Sequence, residues 1–132
     1  AGATTGFAKG SGMIHPNMAT MLGFVLTDGS SDGAAATAGL LRRVADRSFH
    51  RTTVDGDTSP NDTLMLLASA QHRGAGDELE RTVTAMSQQL ARTLAADGEG
   101  ATRLVTIQVR GARSEHEATT VGRVIATSPL VK

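Results

Sequence analysis

The stretch Lys9-Gly10-Ser11-Gly12-Met13-Ile14-His15-Pro16-Asn17-Met18-Ala19-Thr20-Met21-Leu22 decides how the rest of the chain is read. It is a glycine-rich loop with one cation, running through a proline into a pair of small residues, Ala19-Thr20. An apolar run from Met21 to Leu26 begins immediately afterwards. Loop chemistry before Thr20 and strand chemistry after it place that hydroxyl at the mouth of a buried sheet. A threonine hydroxyl is a weak nucleophile unless a base sits beside it. One solution is to cut the chain before the threonine, so that its own α-amine becomes the base. Such an amine titrates at roughly pH 7.7–8.0 in model peptides, so much of it is neutral at physiological pH. The alternative on local pattern alone is an ordinary threonine that starts a strand.

Three later stretches bear on that choice: Ser48 to Thr63 (SFHRTTVDGDTSPNDT), Asp97 to Thr102 (DGEGAT) and Ser128 to Lys132 (SPLVK). Together with AKGSGMIHPNMATML, and in the same order, they resemble the ornithine acetyltransferases, also called bifunctional glutamate N-acetyltransferase/N-acetylglutamate synthases. The resemblance runs from about Gly6 to the last residue. It implies that Ala19-Thr20 is a self-cleavage bond, that Thr20 is the catalytic nucleophile, and that Lys9, Thr20 and Glu99 bind substrate. It further implies acetyl transfer from N-acetylornithine to glutamate in arginine biosynthesis, through an acetyl-threonine intermediate. No metal or coenzyme is expected for that reaction, with acetyl-CoA a second acetyl donor in some relatives. The implied assembly is a heterotetramer of two cleaved halves. In this family the oxyanion donors come from a threonine-glycine pair that would lie upstream of Ala1, and further substrate ligands lie near the family's chain end.

Composition agrees with a soluble enzyme. Thirteen basic and thirteen acidic residues cancel, so no net field attracts nucleic acid or an anionic membrane. No cysteine occurs, which removes disulfides and thiolate metal sites and fits a reducing cytoplasm. There is no tryptophan or tyrosine and there are only three phenylalanines, so the core must be aliphatic and base stacking is nearly excluded. No signal peptide or membrane-length apolar run is visible. The chain begins in what reads as a strand or loop and stops at Pro129-Leu130-Val131-Lys132 without a polar tail. It is expected to be a single domain segment over 1–132, internal to a larger enzyme and inactive by itself.

The periodicities predict an α/β fold. Met21 to Thr27 reads as a buried strand apolar on both faces, and Thr63 to Ser69 as a second apolar run whose length suits a buried strand, with a helix as the alternative. Leu40, Leu41, Val44, Ala45 and Phe49 repeat with helical spacing from about Ala34, with Asp32 as the cap. Thr52-Thr53-Val54 favours a short extended segment. Leu79, Val83, Met86, Leu90 and Leu94 form an amphipathic helix that opens with an acidic capping pair, Asp77 and Glu80, and ends at Gly98 in a left-handed conformation. Arg103 to Arg110 alternates as a strand. Ser114 and Glu117 form a capping box for a last helix through Ala118, Val121, Val124 and Ile125. Burying both kinds of apolar face needs at least two layers. The resemblance implies the same class: a layered sandwich with helices packed outside β-sheets, of the self-processing threonine-nucleophile type and incomplete in this chain.

Other candidate chemistry is weaker. Glycines at 6, 10 and 12 bracket Lys9, but the spacing matches neither a P-loop nor G-x-G-x-x-G. A lysine flanked by glycines suits a carboxylate, approached as a point charge; the alternative is a solvated loop lysine. Glu99, between two glycines at a helix end, suits an ammonium group of the substrate or is simply a solvated turn residue. Asp55, Asp57, Ser59, Asn61 and Asp62 fail as an EF-hand, because Pro60 stands where glycine is needed and Leu66 where glutamate is needed. That loop is expected to satisfy buried backbone groups near the active site. Histidines 15, 50, 72 and 116 lie on different elements without paired helical spacing, which gives a metal site little support. His15 is close enough in sequence to influence Thr20. The competing functional readings are another self-processing threonine-nucleophile amidohydrolase or aminopeptidase, and an inactive structural or interaction module.

Overall fold

The structure, a computed structural model, describes residues 2–10, 21–30, 33–54, 61–72, 76–98 and 100–131. Three strands, β1 (Thr4–Lys9), β2 (Leu22–Gly29) and β3 (Thr63–His72), form one sheet in the order β1-β2-β3. The helices are α1 (Ala34–Arg47), α2 (Gly76–Ala96) and α3 (Glu115–Thr127), and a single 3₁₀ turn covers Phe49–Arg51. β1 runs antiparallel to β2, and β3 runs parallel to β2. A parallel pair needs a long crossover, and α1 lies within it.

Register sorts the side chains. Gly6 lies opposite Val25 and Ala8 opposite Gly23, while Val25 and Gly23 meet Leu66 and Leu64 on β3. This row faces α1 and α2, where Val25, Leu40, Val44, Leu79 and Val83 are buried together, with Leu64, Leu66, Met86 and Leu90 packed against them. The predicted aliphatic core is therefore present, built by one strand and one stripe from each of two helices. Gly6 lets α2 approach β1: a Cβ there would meet Leu90 Cδ1 at 3.0 Å and the Phe24 carbonyl oxygen at 3.1 Å. The two helices are tied at the surface by Glu80, which accepts from Arg43 at 2.6 Å and lies 3.4 Å from Arg47. Arg43 holds the Glu80 carboxyl below its usual range. Glu80 is thus engaged across the helix pair and does not act in a capping box with Asp77, which lies inside the first turn of α2.

The opposite face of the sheet is open among the described residues. Lys9, Leu22 and Thr63 share one level, and Phe7, Phe24 and Met65 the next. Leu26 and Leu67 form the third, beside Thr5. Phe7 stacks on Phe24 with ring centroids 4.9 Å apart, yet Phe7 is 58% exposed and Leu67 is 52% exposed. β2 is accordingly buried on one face only, against the expectation for Met21 to Thr27.

Further expectations need correction. Residues 101–110 form no strand: alternation alone is not enough without a neighbouring backbone, and this stretch pairs with neither edge of the sheet. Val105 is exposed, while Val109 leans toward α3 near Gly122. The capping box of α3 is half formed, since Glu117 N–H donates to Ser114 Oγ at 3.1 Å but the Glu117 carboxylate turns to Arg113 N–H at 2.7 Å. No residue of α3 is buried; it is held by Glu115, paired with Arg51 and Arg47, and by Arg123 donating to the His50 carbonyl at 3.1 Å. The residue before α1 is Gly33, which gives no side-chain cap, and Asp32 lies outside the described residues. Gly98 is not left-handed; Gly100 is, with φ +72°. Gly98 instead admits Val54, whose Cγ1 would lie 3.1 Å from an added Cβ. Thr52 is extended, but no strand forms there.

The division into a packed and an open face has a direct consequence for the 132-residue chain. Leu40→Ala should destabilise it by about 2–5 kcal/mol, whereas Leu67→Ala should change stability by about 0.5 kcal/mol or less. Denaturant unfolding of both variants checks this.

Candidate functional site

Two parallel strands in register begin side by side. Leu22 pairs with Thr63, so the residues just before them, Met21 and Asp62, meet. The Met21 amide donates to Asp62 Oδ1 at 2.5 Å, and the Met21 carbonyl accepts from the Thr63 amide at 2.9 Å. The Met21 side chain is only 4% exposed, packed with Phe49 and Ala91 and with Ala8, Leu64, Leu90 and Leu94 around them. Gly23 makes room for Leu64 beside it: an added Cβ would lie 3.0 Å from Leu64 Cδ1, and at an ordinary contact of 3.6 Å from Met21 Cε. Met21 is therefore held by its amide, its carbonyl and its side chain.

Asp62 is held in turn by its position one residue before β3. Burial pushes its carboxyl up from the ordinary value, opposed by the Met21 amide and by the nearby His50. Asp62 Oδ1 is satisfied by Met21, while the buried Oδ2 has no hydrogen-bond partner among the described residues. His50 Nδ1 lies 2.9 Å from Asp46 Oδ1 on α1, which orients the ring. Of the 55–62 loop, expected to satisfy buried backbone groups, Asp62 does so at Met21; residues 55–60 lie outside the described residues.

Lys9 ends β1 directly opposite Leu22, two positions beyond Thr20 in sequence, and is exposed on the open face of the sheet. Its ammonium makes no ion pair or hydrogen bond with a described residue. Ala19, Thr20 and Glu99 lie outside the described residues, as does His15. Near Glu99 in sequence, the Ala101 amide donates to the Gly98 carbonyl at 2.9 Å. The structure thus brings Lys9 to the strand that follows Thr20, and leaves the relation of Glu99 to them undescribed. Among the described residues no group of three or more His, Asp or Glu side chains is placed to hold a metal ion, and no helix is long and apolar enough to cross a membrane.

Loop composition did not single out Asp62 as the partner of Met21. The signal that finds it is positional: both residues immediately precede apolar runs, and parallel pairing of those runs aligns them.

A sheet backed by two helices, with one end holding a fixed backbone and an exposed lysine, defines an α/β protein with a candidate small-molecule site at that end. Comparison with known proteins gives it a family. The model of the ArgJ family matches residues 2–132, and the chain belongs to that family. It is 52% identical over 135 residues to the arginine biosynthesis bifunctional protein ArgJ 1 of a Nostoc species, covering 96% of this chain and 32% of that relative. The ArgJ of Thermus thermophilus is 51% identical, with coverage of 96% and 33%. The mitochondrial ArgJ of Schizosaccharomyces pombe is 47% identical, with coverage of 96% and 30%. The crystal structure of the Bacillus halodurans arginine biosynthesis bifunctional protein superposes with a TM-score of 0.76 at 35% identity, over 83% of this chain and 55% of that one. The chain therefore spans about a third of the length of these curated relatives.

The exposure of Lys9 leaves its side chain little part in folding. Lys9→Ala should leave the thermal midpoint essentially unchanged, as expected for an exposed side chain away from packed contacts; a melting curve followed by circular dichroism checks it.

Proposed function

We propose that this chain is the part of an arginine-biosynthesis acetyltransferase that carries the self-processing bond and the nucleophile. The observation that carries the reading is the family match across residues 2–132, which includes Lys9, Ala19, Thr20 and Glu99 in one uninterrupted span. The anchored backbone at Met21 supports it, because a nucleophile next in sequence to a fixed residue starts from a restricted geometry.

The proposed chemistry has two stages. In the first, Thr20 Oγ attacks the Ala19 carbonyl carbon; the new C–O bond replaces the Ala19–Thr20 amide, and the departing nitrogen takes up the hydroxyl proton. Water then hydrolyses the ester, releasing the Ala19 carboxylate and restoring the hydroxyl beside a free α-amine. In the second stage, that amine accepts the Thr20 hydroxyl proton as Oγ attacks the acetyl carbonyl of N-acetylornithine. The amide bond breaks, ornithine leaves with a proton on its nitrogen, and Thr20 carries the acetyl group. Glutamate's amine then attacks the acetyl-threonine ester, giving N-acetylglutamate and free Thr20. Both stages pass through an oxyanion, and losing one preorganised donor costs about 10²–10³ in rate. Lys9 contributes a positive point charge for a substrate carboxylate, and Glu99 a negative one for an ammonium group.

In this reading no metal takes part, ornithine-to-glutamate transfer needs no coenzyme, and acetyl-CoA serves as a second donor in a bifunctional enzyme. The working enzyme is a heterotetramer of two cleaved halves acting in the cytoplasm, with neither nucleic acid nor membrane as a partner. Its complete fold is a layered sandwich in which a second sheet covers the open face bearing Phe7, Phe24 and Met65. Isolated, the 132 residues are inactive.

Two variants test this in the full-length enzyme. Thr20→Ala should give a single uncut chain by intact mass and no acetyl transfer; normal cleavage would remove Thr20 as the nucleophile. Lys9→Ala should raise KM for N-acetylornithine at least several-fold while the protein stays folded, and unaltered kinetic constants would return Lys9 to a solvated role.

A further inference from the structure

The Asp62 carboxylate is not among the residues assigned a role in that chemistry, yet it makes the hydrogen bond nearest to Thr20 along the chain among the described residues. The nitrogen it binds, Met21 N, is the amide nitrogen of the Thr20–Met21 peptide bond. A peptide unit is planar, so the Met21 N–H, the carbonyl bonded to it and the Thr20 Cα move as one rigid group. Only the torsions at Thr20 itself then separate a fixed plane from the nucleophile. The Thr63 amide holds the other side of Met21 at 2.9 Å, and buried packing against Phe49 holds its side chain. Those two contacts belong to ordinary strand pairing and core formation. The Asp62 bond is different, because a side chain supplies the acceptor that caps the start of β2.

We propose that Asp62 is a positioning residue, whose Oδ1 fixes the Thr20–Met21 peptide plane and thereby aims Thr20 for both self-cleavage and acetyl transfer. This rests on the reading of Thr20 as the nucleophile. The chemistry required of Asp62 is an acceptor at one place, not a charge. Burial pushes its carboxyl up from the ordinary value, against the Met21 amide and His50, which pull it down. Among the described residues, the charged or titratable neighbour that faces it is His50, from the 3₁₀ turn, and His50 is itself engaged with Asp46. An amide in place of the carboxyl keeps an oxygen acceptor for Met21 N–H. One added methylene keeps the charge and moves the acceptor.

These differences define the test, made in the full-length enzyme with the unmutated protein run beside each variant. Asp62→Asn should retain self-cleavage and kcat within a few-fold. Asp62→Glu and Asp62→Ala should slow cleavage and lower kcat by about 10–100-fold, the scale of a misplacement of about 1 Å, with KM for N-acetylornithine little changed. Melting curves establish that each protein is folded at the assay temperature. If Asp62→Ala does not fold, the Asn and Glu variants decide the matter. Wild-type rates in folded Asp62→Glu would overturn the proposal, as would an Asp62→Asn as impaired as Asp62→Glu, which would make charge the requirement. Failure of the unmutated enzyme to cleave at Ala19-Thr20 would instead reject the reading of Thr20, so the two failures are distinguishable.

Discussion

The in-register start of β2 and β3 is the constraint on which the described structure depends. Once Leu22 faces Thr63, Met21 and Asp62 are neighbours, and the carboxylate accepts from the amide just before β2. An unpaired buried amide costs about 1–3 kcal/mol, so the Asp62 bond stabilises the register as well as the residue it holds. The same register puts Val25 and Leu66 under the helices and Phe24 and Met65 on the open face. A slip by one residue would exchange those sets and leave Val25 in place of Leu26 on the uncovered side.

Much of the fold was legible because it is written in local periodicity. The stripes Leu40-Val44 and Leu79-Val83 identify two helices, and both bury those residues against the sheet. The run Thr63 to Ser69 has the length of a strand or a short helix, and pairing with its one neighbour, β2, makes it a strand over Thr63–His72. Residues 103–110 misled because alternation describes a surface suited to pairing and says nothing about whether a partner is present. Asp77 and Glu80 misled for a related reason: a capping pair is a local pattern, and the tertiary approach of Arg43 and Arg47 outcompetes it.

The site was legible to a different depth. Family resemblance selected Thr20, Lys9 and Glu99, and membership of the ArgJ family agrees with the resemblance. Residue spacing alone did not choose between a nucleophile and a strand-initiating threonine. Asp62 is forty-one positions away from Met21 in sequence, and only the parallel pairing joins them. Such a contact has no local signature, because the crossover through α1 separates its two ends. Its chemistry is nevertheless simple: a carboxylate oxygen, partly removed from water, directed at a backbone N–H.

That bond can be observed without any functional assay. Amide hydrogen exchange at Met21, followed by NMR on the full-length enzyme labelled at methionine, reports directly on whether Asp62 holds it. The account predicts that the Met21 amide exchanges as slowly as the amides inside β2, because a partly buried carboxylate oxygen holds it in place. Exchange at the rate of an unprotected peptide amide would contradict it and leave Thr20 without a fixed neighbour.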